Sequence, residues 1–345
     1  MIYCTPLVPG NSLVMKASDN KSPTITDIAR LAGVSSITVS RTFTAPEKVK
    51  PQTRERILQI AGQMNYVPNV FAQNIKNAQS PVIGIVTDDT FNQSYGWVIQ
   101  ELCRHAEERG YSVMIFTTRG SRESEARAVN TLVSYKAAGV VLSAISDAPD
   151  YDSRHLDILK NSATQLIQLD RQFDTSLPAV CVNDQRAGEL IASVIREKGY
   201  RNILIVGGSE QSRITRERVT SICDNIPGDI RVTRLYADYR YDAAKEIIAN
   251  HFSCGSIDYD AIVGINGAIS LAASNVAVRW SLSPKVDFLS IDEIPNAEDF
   301  GLFYTCVVHD YEQWATVVAE NLIAAIEGRP WQRRTVINGF LKNHR

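Results

Sequence analysis

The chain has no apolar run near the roughly 20 residues that a membrane helix needs, so no span is expected. Its six cysteines, Cys4, Cys103, Cys181, Cys223, Cys254 and Cys306, form no CxxC pair. That speaks against a zinc site and a dense disulfide framework, and fits thiols in a reducing compartment. The five histidines (His105, His155, His251, His309, His344) show neither metal spacing nor a neighbouring nucleophile pattern. There is no GxxxxGK(S/T) phosphate loop and no GxSxG elbow; Gly207-Gly208-Ser209 is only a glycine pair after a strand. These gaps argue against an enzyme, and no pattern asks for a cofactor or a metal. The first twenty residues, MIYCTPLVPGNSLVMKASDN, lack a basic start followed by a continuous apolar stretch. They read as a disordered lead-in (1–22) rather than a signal peptide, which places the protein in the cytoplasm.

What is present fits a folded core: 44% apolar and 21% charged residues over 345 positions, enough for two or three domains. Net charge is −2, unevenly spread. Residues 1–80 carry nine Lys/Arg against four Asp/Glu, and the remaining 265 carry 27 against 34. A basic head on an acidic body suits contact with nucleic acid, because phosphate neutralisation supplies most non-specific affinity.

The pattern predicts three short helices at 23–67. Thr24 and Asp27 have the spacing of a capping box. The helix they open, Ile25 to about Ala32, places Ile28 and Leu31 on one face, and Gly33 stops it. Ser35 caps a second helix, Ser36 to Phe43, with Val39 and Phe43 facing the same core. Pro51 suits the first turn of a third, carrying Ile57, Ile60, Ala61 and Met64 at helical spacing. Two helices joined by a glycine turn are a helix-turn-helix. Base readers would sit on the second: Ser36, Ile37, Ser40 and Arg41, whose guanidinium fork matches guanine O6 and N7. Thr24, Ser35, Thr38, Thr53 and Arg54 could hold phosphates, setting register without reading sequence. The alternative reading of the helix pair is a hairpin for protein contacts, with Arg41 on a solvated face.

TITDIARLAGVSSITVSR followed by VKPQTRERILQIAGQMNYVPN resembles the DNA-binding head of the lactose/galactose-repressor family over about 45 residues. The chain departs from that family in having Lys50 where a serine usually caps the third helix, and in Thr44 near a frequent Asn. Ile37 falls in the base-reading pair with Ser36, where an apolar side chain could touch a thymine methyl. The resemblance implies that the weakly helical segment 68–80, with Asn69, Ala72 and Ile75, orders on DNA as a minor-groove hinge. Ile75 then matches the wedge position; read plainly, the segment is a linker.

From 81 to 340, apolar strands alternate with amphipathic helices. Strands are expected at 82–86, 112–116, 139–142, 165–169 and 180–182, and then at 203–206, 232–236, 261–263 and 288–291. Helices are expected at 96–109 and 186–198. The fold class expected is thus an all-α helix-turn-helix head on an α/β core of two doubly wound parallel-sheet lobes. The first lobe is expected to span about 81–182 plus 308–326, and the second about 183–307 plus 327–340. The core resembles the periplasmic-binding-protein-like core of the same family, closest in flavour to its fructose-catabolite and sucrose-operon branch.

The resemblance implies a cleft between the lobes that takes a sugar or sugar phosphate. Asn92, Ser94, Tyr95 and Asp170 would come from the first lobe, and Arg216, Arg218, Tyr239, Asn266 and Asp292 from the second. Each has a bland alternative: Asp292 as a helix cap, Arg218 paired with a surface acid, Asn266 as a turn. Gly267 and Ser221 stand where the family commonly has Asp and Gly. Arg119, Arg171 and Arg216 near Arg218 would suit a phosphate. The implied assembly is a homodimer on double-stranded operator DNA, without leucine heptads for a tetramer. The rival of another class is a sugar-binding transport protein.

Overall fold

A computed structural model describes residues 22–68, 79–88, 93–255, 257–282, 285–294 and 296–344, without the side chains of 93, 94 and 300. It divides into two units, Met1–Asn77 and Ala78–Arg345.

In the first unit, α1 (Ile25–Ala32), α2 (Ser36–Thr44) and α3 (Pro51–Gln63) enclose a small core of Ile28, Ala29, Ala32, Val39, Ile57 and Ala61. The capping box is formed. Thr24 Oγ1 accepts from Asp27 N at 3.3 Å, and Thr24 N donates to Asp27 Oδ2 at 3.0 Å. Gly33 ends α1 at φ +63°, a left-handed turn that glycine adopts without strain. Leu31 corrects the expected face. It is 53% exposed while Ile28 is buried, because in so short a helix the side that meets the core is the Ile28–Ala29–Ala32 stripe with Ile25 packed against it. Lys50 precedes α3 without a side-chain cap, leaving Pro51 to start the helix.

The second unit contains two six-stranded sheets. The first uses β1 (Ser80–Thr87), β2 (Ser112–Thr117), β3 (Ala137–Leu142), β4 (Gln165–Leu169), β5 (Ala179–Val182) and β11 (Arg334–Ile337), in the order β11-β5-β4-β3-β1-β2, all parallel. The second uses β6 (Asn202–Gly207), β7 (Arg231–Tyr236), β8 (Ala261–Gly264), β9 (Asp287–Ile291), β10 (Tyr304–His309) and β12 (Gly339–His344), in the order β12-β10-β9-β8-β6-β7. Only β12 is antiparallel, to β10. The helices are α4 (Gln93–Glu108), α5 (Arg122–Ser134), α6 (Asp157–Lys160), α7 (Asp184–Lys198), α8 (Arg213–Asp224), α9 (Tyr241–Cys254), α10 (Gly267–Arg279) and α11 (Tyr311–Ile326). Central strands are buried along their length, as parallel sheets covered on both faces require.

The segment 327–340, expected wholly in the second lobe, is divided. β11 pairs with β5 in the first sheet, and β12 pairs with β10 in the second out to His344, beyond the expected end at 340. The chain thus crosses between lobes three times, at Asn183, at Asp310 and at Asn338. The expected lead-in lies almost wholly outside the described residues, as does most of the hinge, with Asn69, Ala72 and Ile75.

Candidate functional site

On the head, Ser35 caps α2 by accepting from Thr38 N at 3.2 Å, and the Ser35 and Thr38 hydroxyls bond each other at 2.9 Å. Thr42 donates back to the Thr38 carbonyl at 3.0 Å, filling the inner face beside Val39. Residues four apart share a helix face, so Ile37 (64% exposed) and Arg41 stand together on the open side, with Ser36 and Ser40 half-buried beside them. Thr53 and Arg54 lie half-buried in the first turn of α3. With no side-chain cap from Lys50, the amide donors of that turn suit a phosphate. Between residues 22 and 68 the head has six Lys/Arg against three Asp/Glu. The arrangement groups an exposed guanidinium and hydroxyls on one helix face, flanked by further hydroxyl, guanidinium and amide donors.

In the body, the carboxyl ends of the strands bring first-lobe and second-lobe residues together. Asp170 follows β4 at φ +60° and Asp292 follows β9 at φ +71°. Each donates its own N–H to the neighbouring strand, to Val180 O and Val307 O respectively. Arg218 on α8 is buried, donating from Nε to Asp184 Oδ1 at 2.7 Å and from Nη1 to Ile265 O at 2.6 Å, with Asp292 Oδ2 at 3.9 Å. His309 Nδ1 lies 3.3 Å from Asp292 Oδ1. Tyr95 donates to Asp170 Oδ2 at 3.3 Å and bonds the Ser143 hydroxyl at 3.0 Å. Asp170 Oδ1 is buried and accepts no hydrogen bond among the described residues.

Tyr239 is fixed at its hydroxyl by Ser212 (2.6 Å) and Thr215 (2.7 Å). Its ring lies over Gly208, where a Cβ would come within 2.6 Å of ring carbons. The first-lobe Arg171 stacks on that ring at 4.7 Å and donates to Asp88 at 3.2 Å. Asn266 caps α10 by accepting from Ile269 N at 2.8 Å, while its Nδ2 donates to Tyr239 O at 3.1 Å. Asp147 of the first lobe accepts from Ile214 N, at the start of α8, at 3.1 Å. Both lobes therefore close on the same cluster.

Burial pushes Asp184 up to about 7 and raises Asp170 as well, against the lowering pull of Arg218 on both. Burial also raises Tyr95 and Tyr239. Arg218 is held above its ordinary value: burial works against the charged form, and Asp184, Asp292 and Asp170 more than offset it.

Of the residues expected at this site, Tyr95, Asp170, Arg218, Tyr239, Asn266 and Asp292 share this network. Arg216 is exposed on α8 and lines a different groove. Arg119 is also exposed. Asn92 and the side chain of Ser94 lie outside the described residues. Sequence reasoning missed Asp184, Asp147, Asp88 and His309. The first stands beside Asn183 at the start of a helix and reads as an ordinary cap; the other three follow no motif.

Two family matches cover most of the chain. Residues 24–69 match "Bacterial regulatory proteins, lacI family", and residues 80–284 match "Periplasmic binding proteins and sugar binding domain of LacI family". The HTH-type transcriptional regulator IdnR of Escherichia coli is 29% identical over 207 residues, 59% of this chain and 61% of that protein. The chain thus spans about three fifths of the length of that relative. The sucrose operon repressor of Staphylococcus xylosus is 26% identical over 255 residues, 72% of this chain and 76% of that protein. A lac repressor dimer bound to operator superposes with a TM-score of 0.77 at 19% identity, covering 94% of this chain and 98% of that one. At that identity the likeness is one of fold.

Proposed function

The chain belongs to the lacI family of bacterial regulatory proteins, and on that premise we propose that it is a sequence-specific DNA-binding repressor controlled by a sugar-like ligand. In this reading it works as a cytoplasmic, nucleoid-associated homodimer, its two heads on a pseudo-palindromic operator of carbohydrate-metabolism genes. The carrying observation is the cleft cluster itself: Asp170 from one lobe with Arg218, Asn266, Tyr239 and Asp292 from the other. Such a set supplies acceptors, an amide, a guanidinium and an aromatic face. Asp170 Oδ1 is the acceptor a ligand hydroxyl would take.

Charge favours a neutral, hydroxyl-rich ligand. Around the cleft Arg171 is paired with Asp88, and Arg218 with Asp184 and Asp292. A phosphate would find no unmatched guanidinium there. A ligand that prefers one lobe arrangement changes operator affinity, with a coupling of about 1–3 kcal/mol and relief of repression as the expected sign. The same core in a sugar-transport protein would carry no basic head.

Two measurements test the two halves. Arg41→Ala is expected to cost about 1–3 kcal/mol in operator binding and to relax selectivity at one base pair per half-site, read by fluorescence anisotropy over operator variants. Unchanged affinity would remove α2 as the reading helix. A thermal-shift panel of neutral sugars, sugar phosphates and purines tests the cleft. A ligand at about 100 times its Kd adds roughly 2.7 kcal/mol. A neutral sugar is expected to give that shift and Asp292→Asn to erase it. A shift from sugar phosphates alone would overturn the neutral-ligand reading, and no shift at all would point to ligand-independent control.

A further inference from the structure

On the crossover side of the body, a cavity of about 530 Å³ opens between the lobes. Its first-lobe wall is Cys181 and Val182 of β5 with Arg334 and Val336 of β11; its second-lobe wall is the start of α7 and one face of α8. That volume fits a small ligand. Three guanidiniums line it. Among the described residues Arg213 uses only Nη1, toward Glu217 at 2.9 Å and Asp184 at 4.0 Å; its Nε and Nη2 are buried with no acceptor there. Arg334 donates, among the described residues, only to neutral acceptors, Gln172 Oε1 at 2.9 Å and Thr175 O at 3.5 Å. Arg216 is exposed and makes no ion pair among the described residues. Against these stand Glu217, already bonded to Arg213, and Asp224 and Asp184. Buried donors left without acceptors are costly, and a guanidinium edge matches the two oxygens of a carboxylate or phosphate.

We propose that this groove is a second ligand site of the body and takes a small oxyanion, a phosphate or a carboxylate. Its walls come from both lobes, so its affinity depends on how the lobes stand. Asp184 links it to the cleft, facing Arg213 on one side and bonding Arg218 at 2.7 Å on the other. An anion held by Arg213 therefore changes the field on the Asp184–Arg218 pair, and by reciprocity a cleft ligand changes anion affinity by the same factor. The site itself does not depend on the sugar reading; the coupling does.

The test is isothermal titration of the full chain with inorganic phosphate and, separately, with citrate. The anion that binds identifies the chemistry. Binding at least about tenfold weaker in both Arg213→Gln and Arg216→Glu, each with a wild-type unfolding profile, is the expected result. Arg216→Glu serves alone if Arg213→Gln does not fold, since Arg216 is exposed. Absence of binding by the wild type overturns the proposal. So does binding that survives both substitutions, because it would then come from the head or the cleft. If anion binding is lost as expected but no sugar alters it in the wild type, the site stands and the sugar coupling fails.

Discussion

Arg218→Met is expected to lower the stability of the body by about 3–5 kcal/mol, the range for removing one partner of a buried ion pair. The side chain is 5% exposed and answers Asp184 at 2.7 Å, the Ile265 carbonyl at 2.6 Å and Asp292 at 3.9 Å. Methionine keeps much of the volume but leaves those acceptors buried without their cation. The loss should grow with pH. Asp170 and Asp184 already sit above the ordinary carboxylate value, so the folded state holds more protons than the unfolded chain between about 4 and 7. Such groups contribute most at low pH and lose that contribution as pH rises through the folded value. Without Arg218 their values rise further and the decline steepens. Trp97, Trp280, Trp314 and Trp331 all lie in the body, so urea unfolding followed by tryptophan fluorescence isolates it. A loss under about 1 kcal/mol, or one independent of pH, would mean that Arg218 is not the counter-charge described. Adding Asp184→Asn should return part of the loss in a double-mutant cycle.

Ile57→Ala should have an opposite signature: operator binding collapses while the fluorescence transition stays in place. Ile57 is fully buried on α3 against Ile28, Ala29 and Val39 of the head core. Truncating a buried isoleucine costs about 2–5 kcal/mol. A head of some 45 residues with seven buried apolar side chains among those described has little stability to spare. Operator affinity should fall at least about thirtyfold, because binding must then also fold the head. If operator binding survives, the three helices are not held by this core. A shift of the tryptophan transition would mean that head and body do not unfold independently.

The head was the most legible part of the sequence, since its signals are local. Thr24 with Asp27, Gly33 and Pro51 each act within one turn, and each does what its position implies. Leu31 was misread because periodicity over eight residues does not say how wide the buried stripe is. In the body the nine strands from β1 to β9 were readable as apolar runs. The last three were missed: β11 and β12 are edge strands with exposed residues such as Val336 and Phe340, whereas β10 is an interior, largely buried strand whose apolar run was overlooked. The cleft was legible only through resemblance. Asp170 and Asp292 are single carboxylates after strands, and nothing local distinguishes them from turn residues. Asp184 and His309 acquire their meaning from neighbours distant in sequence, Arg218 and Asp292. Asn266 caps α10 and also holds Tyr239, two contacts that its expected place in a turn does not foretell.

The two sheet orders correspond strand for strand: β1 with β6, β2 with β7, β3 with β8, β4 with β9, β5 with β10 and β11 with β12. Asp170 after β4 and Asp292 after β9 are then equivalent positions, both left-handed and both donating to the next strand. The match is one of strand order, since β12 runs antiparallel where β11 is parallel. A ligand in the cleft would meet an equivalently placed carboxylate on either side, so those two aspartates would give it no direction. Direction would come from their unlike neighbours: Arg218 beside Asp292, where Asp170 has Tyr95. Exchanging the character of those two neighbours should invert the preferred direction of a ligand before it abolishes binding.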